Sequence, residues 1–254
     1  MQIKLITSNI RFSNKTDGNH CWQNRLPILS KLINDFSPLI LGTQEGKQVQ
    51  INEFALTLTD LTLIDKHRNW LEERMYPALF INTSFLEVIE SGDIWLSHTP
   101  HIAGSISFQS AFPRLCTWAK LKVKAKNKEI LVCNTHLDHV YETTREQQIS
   151  VLIDQLQLVN KSNLPIILMG DFNEGPNGKV RSQINSKLPN LIDPWDAVES
   201  GSHHKFDGNN KNSLRIDWIL IDKIFKKEKI YLEQSHENNI YPSDHFPVKC
   251  ILNF

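Results

Sequence analysis

Short apolar runs recur along the chain, and each adjoins a polar residue that can take part in chemistry. Five of them stand out: Ile3 to Ser8 before Asn9, Leu39 to Leu41 before Glu45, Ile130 to Cys133 before His136, Ile166 to Met169 before Asp171, and Trp218 to Ile221 after Asp217. Apolar runs of this length are typical of strands, and strand ends are where rigid scaffolds present active-site residues. The pattern therefore predicts a sheet with functional side chains at its strand ends.

Longer stretches with a helical period separate these runs. Apolar residues recur at helical spacing in two stretches: Leu26, Leu29, Leu32, Ile33 and Phe36, with Pro27 near the start, and Ile149, Leu152, Ile153, Leu156 and Val159 after Thr143 and Thr144. This period predicts amphipathic helices that cover a sheet. Asp193 followed by Pro194 predicts another helix start, with Asp193 as its N-cap. The alternating stretch Lys120 to Ala125 predicts a half-exposed antiparallel strand.

The mixed order of strands and helices favours a layered α/β domain. The chain has 254 residues, of which 40% are hydrophobic, and it contains no internal repeat or low-complexity linker. That is enough apolar material to bury one large core. We expect a single domain that spans residues 1–254.

The charges of the chain balance. Lysine plus arginine and aspartate plus glutamate both number 28, so the formal net charge is zero. A neutral chain has no strong general attraction to a polyanion, which counts against a nuclease that binds duplex DNA. The lysines at alternate positions from Lys122 to Lys128 predict the solvent-facing side of a strand.

Composition also bears on the cellular compartment. The four cysteines lack CxxC spacing, and no apolar stretch approaches a membrane span of ~20 residues. Met1 leads directly into Ile3 and Leu5, without the charged region and long apolar core of a secretion signal. We expect a cytoplasmic protein with free thiols, no metal cluster and no membrane anchor.

The segment Gly170-Asp171-Phe172-Asn173 is the sharpest chemical signal. Alternation along a strand puts the side chains of Asp171 and Asn173 on one side and Phe172 on the other. A carboxylate there can orient or deprotonate water, and an amide can donate to a phosphoryl oxygen. On this segment alone, a turn that closes the strand is an equally good interpretation, because Asp, Asn and Gly are ordinary turn residues.

A second signal lies near the C-terminus, where Asp244 and His245 precede a final apolar stretch. Asp217 could hydrogen-bond the His245 imidazole from a neighbouring strand, which would fix its tautomer and raise its basicity. Such a histidine can bind phosphate or donate a proton. A lone histidine at a strand start is more often structural, but this company of acidic residues favours a functional role.

Other strand ends offer metal ligands. Asn9 and Glu45 supply oxygen donors suited to magnesium, which takes one or two protein carboxylates and keeps water and substrate phosphate as its other ligands. A zinc trio of His136, Asp138 and His139 is the alternative. Adjacent strand residues point to opposite faces, so the geometry favours magnesium.

The ordered set of motifs resembles the endonuclease/exonuclease/phosphatase superfamily. Six segments carry the resemblance: Asn9 in Thr-Ser-Asn-Ile, Glu45 in Gly-Thr-Gln-Glu, His136 in Asn-Thr-His-Leu-Asp-His, Gly-Asp-Phe-Asn at 170–173, Arg215-Ile216-Asp217, and Ser-Asp-His-Phe-Pro-Val at 243–248. Segments 91–97 and 113–119 are most similar to an uncharacterised bacterial branch, and the histidine motif resembles that of nocturnin and deadenylases. The resemblance implies a DNase I-like, four-layer α/β/β/α sandwich of two mixed sheets flanked by helices, with the site at one edge.

The resemblance also implies roles for individual residues. Glu45 would be the principal ligand of Mg²⁺, for which Mn²⁺ could substitute, with Asn9 assisting and Asp244 near the metal. The catalytic and substrate-binding roles fall to Asp171 (positioning the attacking water), Asn173 (stabilising the pentacovalent phosphorus), His245 (binding phosphate), Asp217 (orienting His245), His136 (a further phosphate contact), and Arg114, His204 and Asp138 (substrate contacts).

Together these features predict a magnesium-dependent phosphoesterase in which an activated water attacks a phosphomonoester or phosphodiester in line. The zero net charge favours a small phosphate ester or a short single-stranded nucleic acid as the substrate. Two alternatives stay open, a metal-dependent nuclease acting on DNA or RNA and a catalytically silent binding module on the same fold. The sequence implies no protein partner.

Overall fold

Alternating and continuous apolar runs form twelve strands, which the computed structural model, covering residues 1–254, arranges in two six-stranded sheets. In chain order the strands are β1 (Gln2–Asn9), β2 (Ile40–Lys47), β3 (Thr62–Leu63), β4 (Met75–Ile81), β5 (Leu86–Trp95), β6 (Leu115–Val123), β7 (Lys128–His136), β8 (Ile166–Asp171), β9 (Leu191–Ile192), β10 (Asp217–Asp222), β11 (Lys226–Leu232) and β12 (Val248–Asn253). The helices are α1 (Trp22–Phe36), α2 (Gln48–Ala55), α3 (Glu142–Val159) and α4 (Lys179–Lys187), and a short 3-10 helix covers Lys15–His20.

Both sheets are mixed. Sheet 1 has the order β11-β12-β1-β2-β4-β3, and sheet 2 has the order β5-β6-β7-β8-β10-β9. The strand pairs β1–β2 and β7–β8 are parallel, and the remaining pairs are antiparallel. The predicted mixed sheets are therefore confirmed.

Alternation along the strands gives each sheet two apolar faces and so produces four layers. On β1, Leu5 packs in the core between the sheets, where Val132 of sheet 2 also lies, whereas Ile6 faces outward. The outer face of sheet 1 packs against α1 and α2, and that of sheet 2 packs against α3 and α4. This confirms the predicted α/β/β/α sandwich.

Helix α1 begins earlier than the apolar period indicated. It starts at Trp22 rather than near Leu26, so Pro27 lies inside the helix instead of at its start. The buried Arg25 side chain explains the earlier start. Its guanidinium donates to the carbonyl oxygens of His20 and Ile10 at 2.7 and 2.6 Å. These bonds fix the first turn against β1.

The predicted helix start at Asp193-Pro194 is wrong. No helix follows, and the Asp193 carboxylate instead pairs with Arg181 at 2.8 Å and Arg215 at 2.7 Å. Its other oxygen accepts from the Trp195 backbone N–H at 3.1 Å. Because the carboxylate pairs with two guanidinium groups, the segment after β9 stays irregular.

Two further expectations meet a mixed outcome. The stretch Lys120 to Ala125 supplies the end of β6, which is antiparallel to its neighbours, but the strand ends at Val123. Lys124 and Lys126 lie in the following turn, so the alternating lysines do not form one face of one strand.

All four cysteines are free thiols. None of the helices combines the length and the apolarity needed to cross a bilayer.

Candidate active site

The polar residues that end the apolar runs meet at one end of the sandwich. In sheet 2, His136 of β7 pairs with Asp171 of β8, which in turn pairs with Asp217 of β10. In sheet 1, β1 ends at Asn9, and the Asn9 amide nitrogen lies 3.0 Å from Asp171 Oδ2 in sheet 2. A direct hydrogen bond therefore joins the two sheets at this end.

Asn9 links Glu45 to Asp171. Its Nδ2 donates to Glu45 Oε1 and to Asp171 Oδ2, both at 3.0 Å, while its Oδ1 accepts from the Arg11 backbone N–H at 2.9 Å. The amide nitrogen, and not the carbonyl oxygen, thus faces the carboxylates. The Asn9 carbonyl oxygen, the atom that could bind a metal, lies on the side of the Arg11 N–H, so the predicted role of Asn9 as a metal ligand stays a prediction.

A local irregularity of β2 turns Glu45 toward this centre. The register of β2 against β4 shifts between Thr43 and Gly46, and Glu45 has a φ of 70°. A positive φ is uncommon for a residue with a side chain and is found preferentially at functional sites. The second oxygen of Glu45 accepts from the Phe12 backbone N–H at 3.2 Å.

Asp171 and His245 have perturbed ionisation. Burial and the nearby Asp217 carboxylate raise the pKa of Asp171 to about 7. Burial alone would lower the pKa of His245, but the carboxylates of Asp217 and Asp171 outweigh it and hold this pKa well above its usual value. His245 Nδ1 lies 2.8 Å from Asp217 Oδ2. The geometry thus fits the predicted Asp217–His245 pair, in which the ring of His245 is a positively charged imidazolium at neutral pH.

His136 and Asn173 form the other side of the centre. The Asn173 amide nitrogen lies 3.1 Å from His136 Nε2 and donates to the Leu137 carbonyl oxygen at 3.0 Å. Both amide hydrogens therefore have protein acceptors, so contact with phosphorus oxygens would require Asn173 to change a partner. Burial and the Arg114 cation lower the pKa of His136 well below its usual value, which keeps this imidazole neutral.

These side chains line a cavity of about 450 Å³. It contains most of the predicted site: Glu45, Arg114, His136, Asp171, Asn173, Asp244 and His245. Asn9 and Asp217 lie directly behind it, in contact with Asp171 and His245. Arg114 is 6% exposed, its Nε has no hydrogen-bond partner, and its Nη2 contacts only the His139 ring. A buried guanidinium without a carboxylate partner is suited to receive an anion.

The structure does not bring Asp138 or His204 into the cavity. Both oxygens of Asp138 accept hydrogen bonds from protein groups, including the backbone N–H groups of Ala111 and Val140 at 2.9 and 2.8 Å. His204 is buried and stacks on Phe246 with ring centroids 3.9 Å apart. The predicted substrate contacts at these two positions are therefore not supported by their placement.

The cavity is also lined by charged or titratable residues to which the sequence analysis gave no role in the magnesium site: Arg11, Lys47, Glu73, Arg74, His139 and His203. His203 lies beside His245 with ring centroids 4.6 Å apart, and Arg11 Nη1 lies 3.8 Å from Asp244 Oδ2. His203 precedes His204, and adjacent residues of an extended segment face opposite sides. His139 was considered only for a zinc trio, which the structure does not assemble, because Asp138 points away into the loop.

The residues present fit a divalent cation with oxygen ligands. Glu45, Asp171 and Asp244 face the cavity, and the buried Asp217 Oδ1 has no hydrogen-bond partner. Two groups could contribute to a metal site, each with ligand atoms within 4.8 Å of one another: His203, Asp244 and His245, and Asp171, Asp217 and His245. Burial and the Asp217 carboxylate raise the Asp171 pKa, and a bound cation would stabilise the charged form of this carboxylate against both.

Fold and centre together define a class of two-sheet α/β sandwiches with an acidic and histidine-containing centre at one edge. The sequence model of the Endonuclease/Exonuclease/phosphatase family matches residues 6–245, and the chain belongs to this family. Among curated protein sequences, none matches the chain.

Solved structures similar to this chain extend over its whole length. A mannosyl-6-phosphatase from Bacteroides thetaiotaomicron is 28% identical, with a TM-score of 0.89, and the match covers 99% of this chain and 100% of that one. An endonuclease/exonuclease/phosphatase from Bacteroides vulgatus is 25% identical, with a TM-score of 0.91 and coverage of 100% and 99%. The human nocturnin catalytic domain, solved with a bound sulfate anion, is 20% identical, with a TM-score of 0.74 and coverage of 100% and 93%. These similarities confirm the predicted DNase I-like fold.

Proposed function

We propose that the chain is a magnesium-dependent phosphoesterase that hydrolyses a small phosphate monoester with an activated water. One observation carries most of the weight. Distant segments of the chain converge on one cavity, and ligand atoms of Asp171 and His245, which line it, and of Asp217, which lies behind it, are within 4.8 Å of one another. Two carboxylates and a protonated imidazole around one small volume suit the chemistry of a phosphate ester.

Asp171 is the group that orients or deprotonates the attacking water. Because its pKa is raised to about 7, its carboxylate is a stronger base than an ordinary aspartate. Glu45 and Asp244 would hold the cation, and Asn9 fixes Glu45 relative to Asp171 through its two hydrogen bonds. When bound, the divalent cation neutralises charge on phosphate oxygens and lowers the pKa of a coordinated water.

His245 and Arg114 bind the phosphate group. Asp217 accepts the Nδ1 proton of His245, so the Nε2–H of the imidazolium is left to donate to a phosphate oxygen. Arg114, which also lines the cavity, supplies a second positive charge. Neutral His136, fixed by Asn173, completes the set as a further contact. Such preorganised donors stabilise the charge that develops on the phosphoryl oxygens.

Size and charge favour a small substrate. A cavity of about 450 Å³ suits a compact ligand, and the chain has a net charge of zero. The similarity to a mannosyl-6-phosphatase at 28% identity supports a phosphorylated sugar as the substrate. We therefore place phosphomonoesters ahead of nucleic acids.

A substrate panel tests this proposal. The purified protein is assayed on mannose 6-phosphate, glucose 6-phosphate, p-nitrophenyl phosphate, a phosphodiester, single-stranded DNA and duplex DNA, each with Mg²⁺ and with EDTA. We expect monoester hydrolysis that depends on Mg²⁺ and stops in EDTA. Preferential, salt-sensitive cleavage of DNA would support the nuclease alternative, and no turnover of any ester would support a silent binding module.

Variants test the assigned roles. Asp171→Asn removes the base and His245→Gln removes the positive donor, and we expect each to lower kcat by about 10²-fold to 10⁴-fold. Asp154→Asn and His101→Gln are matched controls, because both residues are exposed and lie outside the cavity. Circular dichroism verifies that each variant is folded. A near wild-type rate in either site variant would refute its role.

A further inference from the structure

One wall of the cavity mouth is made by Phe112 and His139, which lie next to the phosphate-binding Arg114. Phe112 and Arg114 come from the segment before β6, and His139 comes from the segment after β7. The Phe112 and His139 rings are nearly parallel, at 18°, with centroids 6.0 Å apart. Phe112 is 43% exposed, so a large part of its surface is open to a ligand.

The contact with Arg114 fixes the hydrogen-bonding role of His139. Arg114 Nη2 lies 3.2 Å from His139 Nδ1, and a guanidinium can only donate. Nδ1 must therefore accept, which places the ring hydrogen on Nε2. That nitrogen has no protein partner, and the ring lines the cavity. His139 thus presents a neutral donor to a ligand at the mouth.

Asp138 makes this wall rigid. It accepts from the backbone N–H groups of Val140 and Tyr141 at 2.8 and 3.1 Å on one side, and from that of Ala111 at 2.9 Å on the other. These bonds join the segment that carries His139 to the segment that carries Phe112. The Asp138 carboxylate lies behind the wall. It therefore holds the two segments together and does not contact the substrate.

We propose that Phe112 and His139 form the subsite for the leaving group, which is a hydroxylated ring such as a pyranose. The apolar face of the ring packs on Phe112, and one hydroxyl oxygen accepts from His139 Nε2–H. Arg114 and His245 carry the charge needed for the phosphate, so the neutral residues at the mouth recognise the neutral part of the substrate. This inference rests on the proposed monoesterase activity.

Two isosteric variants separate recognition from structural support. The side-chain amide of His139→Asn reaches the position of Nδ1 and keeps an acceptor for Arg114 but has no donor at the mouth. The amide of His139→Gln reaches the position of Nε2 and keeps that donor. The readout is the ratio of kcat/KM for mannose 6-phosphate to kcat/KM for p-nitrophenyl phosphate, whose leaving group is a ring without a second hydroxyl.

We expect the ratio to fall about tenfold in His139→Asn, which corresponds to the loss of one hydrogen bond, and to be largely retained in His139→Gln. His101→Asn, at an exposed position outside the cavity, is the control. An unchanged ratio in His139→Asn, or an equal fall in both His139 variants, would overturn the subsite. A wild-type protein that hydrolyses neither ester would instead refute the proposed function itself, and the subsite with it.

Discussion

Asp217 fixes the geometry of the centre through a single oxygen. Its Oδ2 accepts from Ser202 Oγ at 2.6 Å and lies 2.8 Å from His245 Nδ1, while Ser202 Oγ also accepts from the backbone N–H groups of Ile216 and Asp217. This network holds the carboxylate toward the imidazole. Asp217 therefore sets the charge state of His245, and its own charge raises the pKa of Asp171 across the pair of strands.

Replacing Asp217 by asparagine should move the pH dependence of the reaction. Loss of the negative charge disfavours the His245 imidazolium and relieves repulsion on the Asp171 carboxylate, so the pKa values of both residues fall. With the proposed roles, we expect the acid limb of the wild-type kcat/KM profile to report deprotonation of Asp171 and the alkaline limb to report deprotonation of His245. We expect both limbs to shift to lower pH in Asp217→Asn, with kcat/KM reduced about 10²-fold or more.

The measurement is the full pH profile at saturating Mg²⁺. Asp154→Asn, an exposed helix position, is the matched control and should keep the wild-type profile. A lower rate with both limbs in place would contradict the electrostatic role of Asp217 and leave only a structural one.

The sequence motifs indicate which residues meet at the centre, but not how their side chains are oriented. Glu45, Asp171 and His245, which the motifs assigned to one site, line one cavity, because parallel and antiparallel pairing bring the chain segments that carry them together. The motifs could not show that His203 faces the centre whereas His204 stacks on Phe246. The direction of these two side chains depends on the local path of an irregular segment. The direction of the Asn9 amide likewise depends on the Arg11 N–H, a contact that no motif encodes.

At the scale of elements, the end of β8 depends on a close approach between strands. Gly170 pairs with Thr135 of β7 and has a φ of 145°. A Cβ atom at this position would lie 2.0 Å from the Thr135 carbonyl oxygen, which belongs to the backbone and cannot move alone. The glycine before Asp171 therefore lets β8 carry its carboxylate to the centre beside His136.

Gly170→Ala should destabilise the protein and disturb the site together. The clash and the unfavourable φ each cost about 1–3 kcal/mol in the folded state. We expect a lower midpoint of urea unfolding, measured by tryptophan fluorescence, and a reduced kcat in the fraction that stays folded. Ser186→Ala, at an exposed position of α4, is the control. A wild-type midpoint in Gly170→Ala would show that the strands can separate at this point without cost.

The elements themselves were largely predictable because their apolar periods are strong. The run Ile166 to Met169 forms β8, and the period from Ile149 to Val159 lies on α3. Local signals failed where tertiary contacts decide the outcome. Asp193-Pro194 has the composition of a helix start, but two arginines engage the carboxylate.

At the scale of the whole molecule, a polar clamp reinforces the apolar contact between the sheets. The Arg68 guanidinium donates to the Pro77 carbonyl oxygen of β4 in sheet 1, at 3.0 Å, and to both oxygens of Asp93 on β5 in sheet 2, at 2.8 Å. Thr117 of β6 lies 2.9 Å from the same carbonyl and 2.7 Å from Asp93. Neither this clamp nor the strand order could be predicted from apolar periodicity. Periodicity reports local structure, whereas both features depend on contacts between residues far apart in the chain.

The clamp should make stability depend on pH. Burial alone would raise the pKa of Asp93, but its hydrogen bonds with Arg68, together with the His67 imidazole, whose Nε2 lies 3.3 Å from Asp93 Oδ1, outweigh burial and hold this pKa well below its usual range. A carboxyl whose pKa is depressed in the folded state contributes stability above its unfolded pKa of about 3.9 and loses that contribution as the pH falls toward the folded value. The contribution of Asp93 should therefore be complete at neutral pH and decline below about pH 4.

Asp93→Asn tests this account, because it leaves the buried Arg68 cation without its partner. We expect a loss of about 3–5 kcal/mol in the free energy of unfolding at pH 7 and a smaller loss as the pH is lowered from about 4, since the wild type then forfeits the same interaction. Urea denaturation at a series of pH values measures the difference, with exposed Asp60→Asn as the control. If the wild-type and Asp93→Asn curves stay parallel down to the lowest pH at which both fold, the carboxylate charge is not what holds the sheets at this end. The double variant Arg68→Met with Asp93→Leu separates charge from packing, because it removes both charges and should recover much of the lost stability.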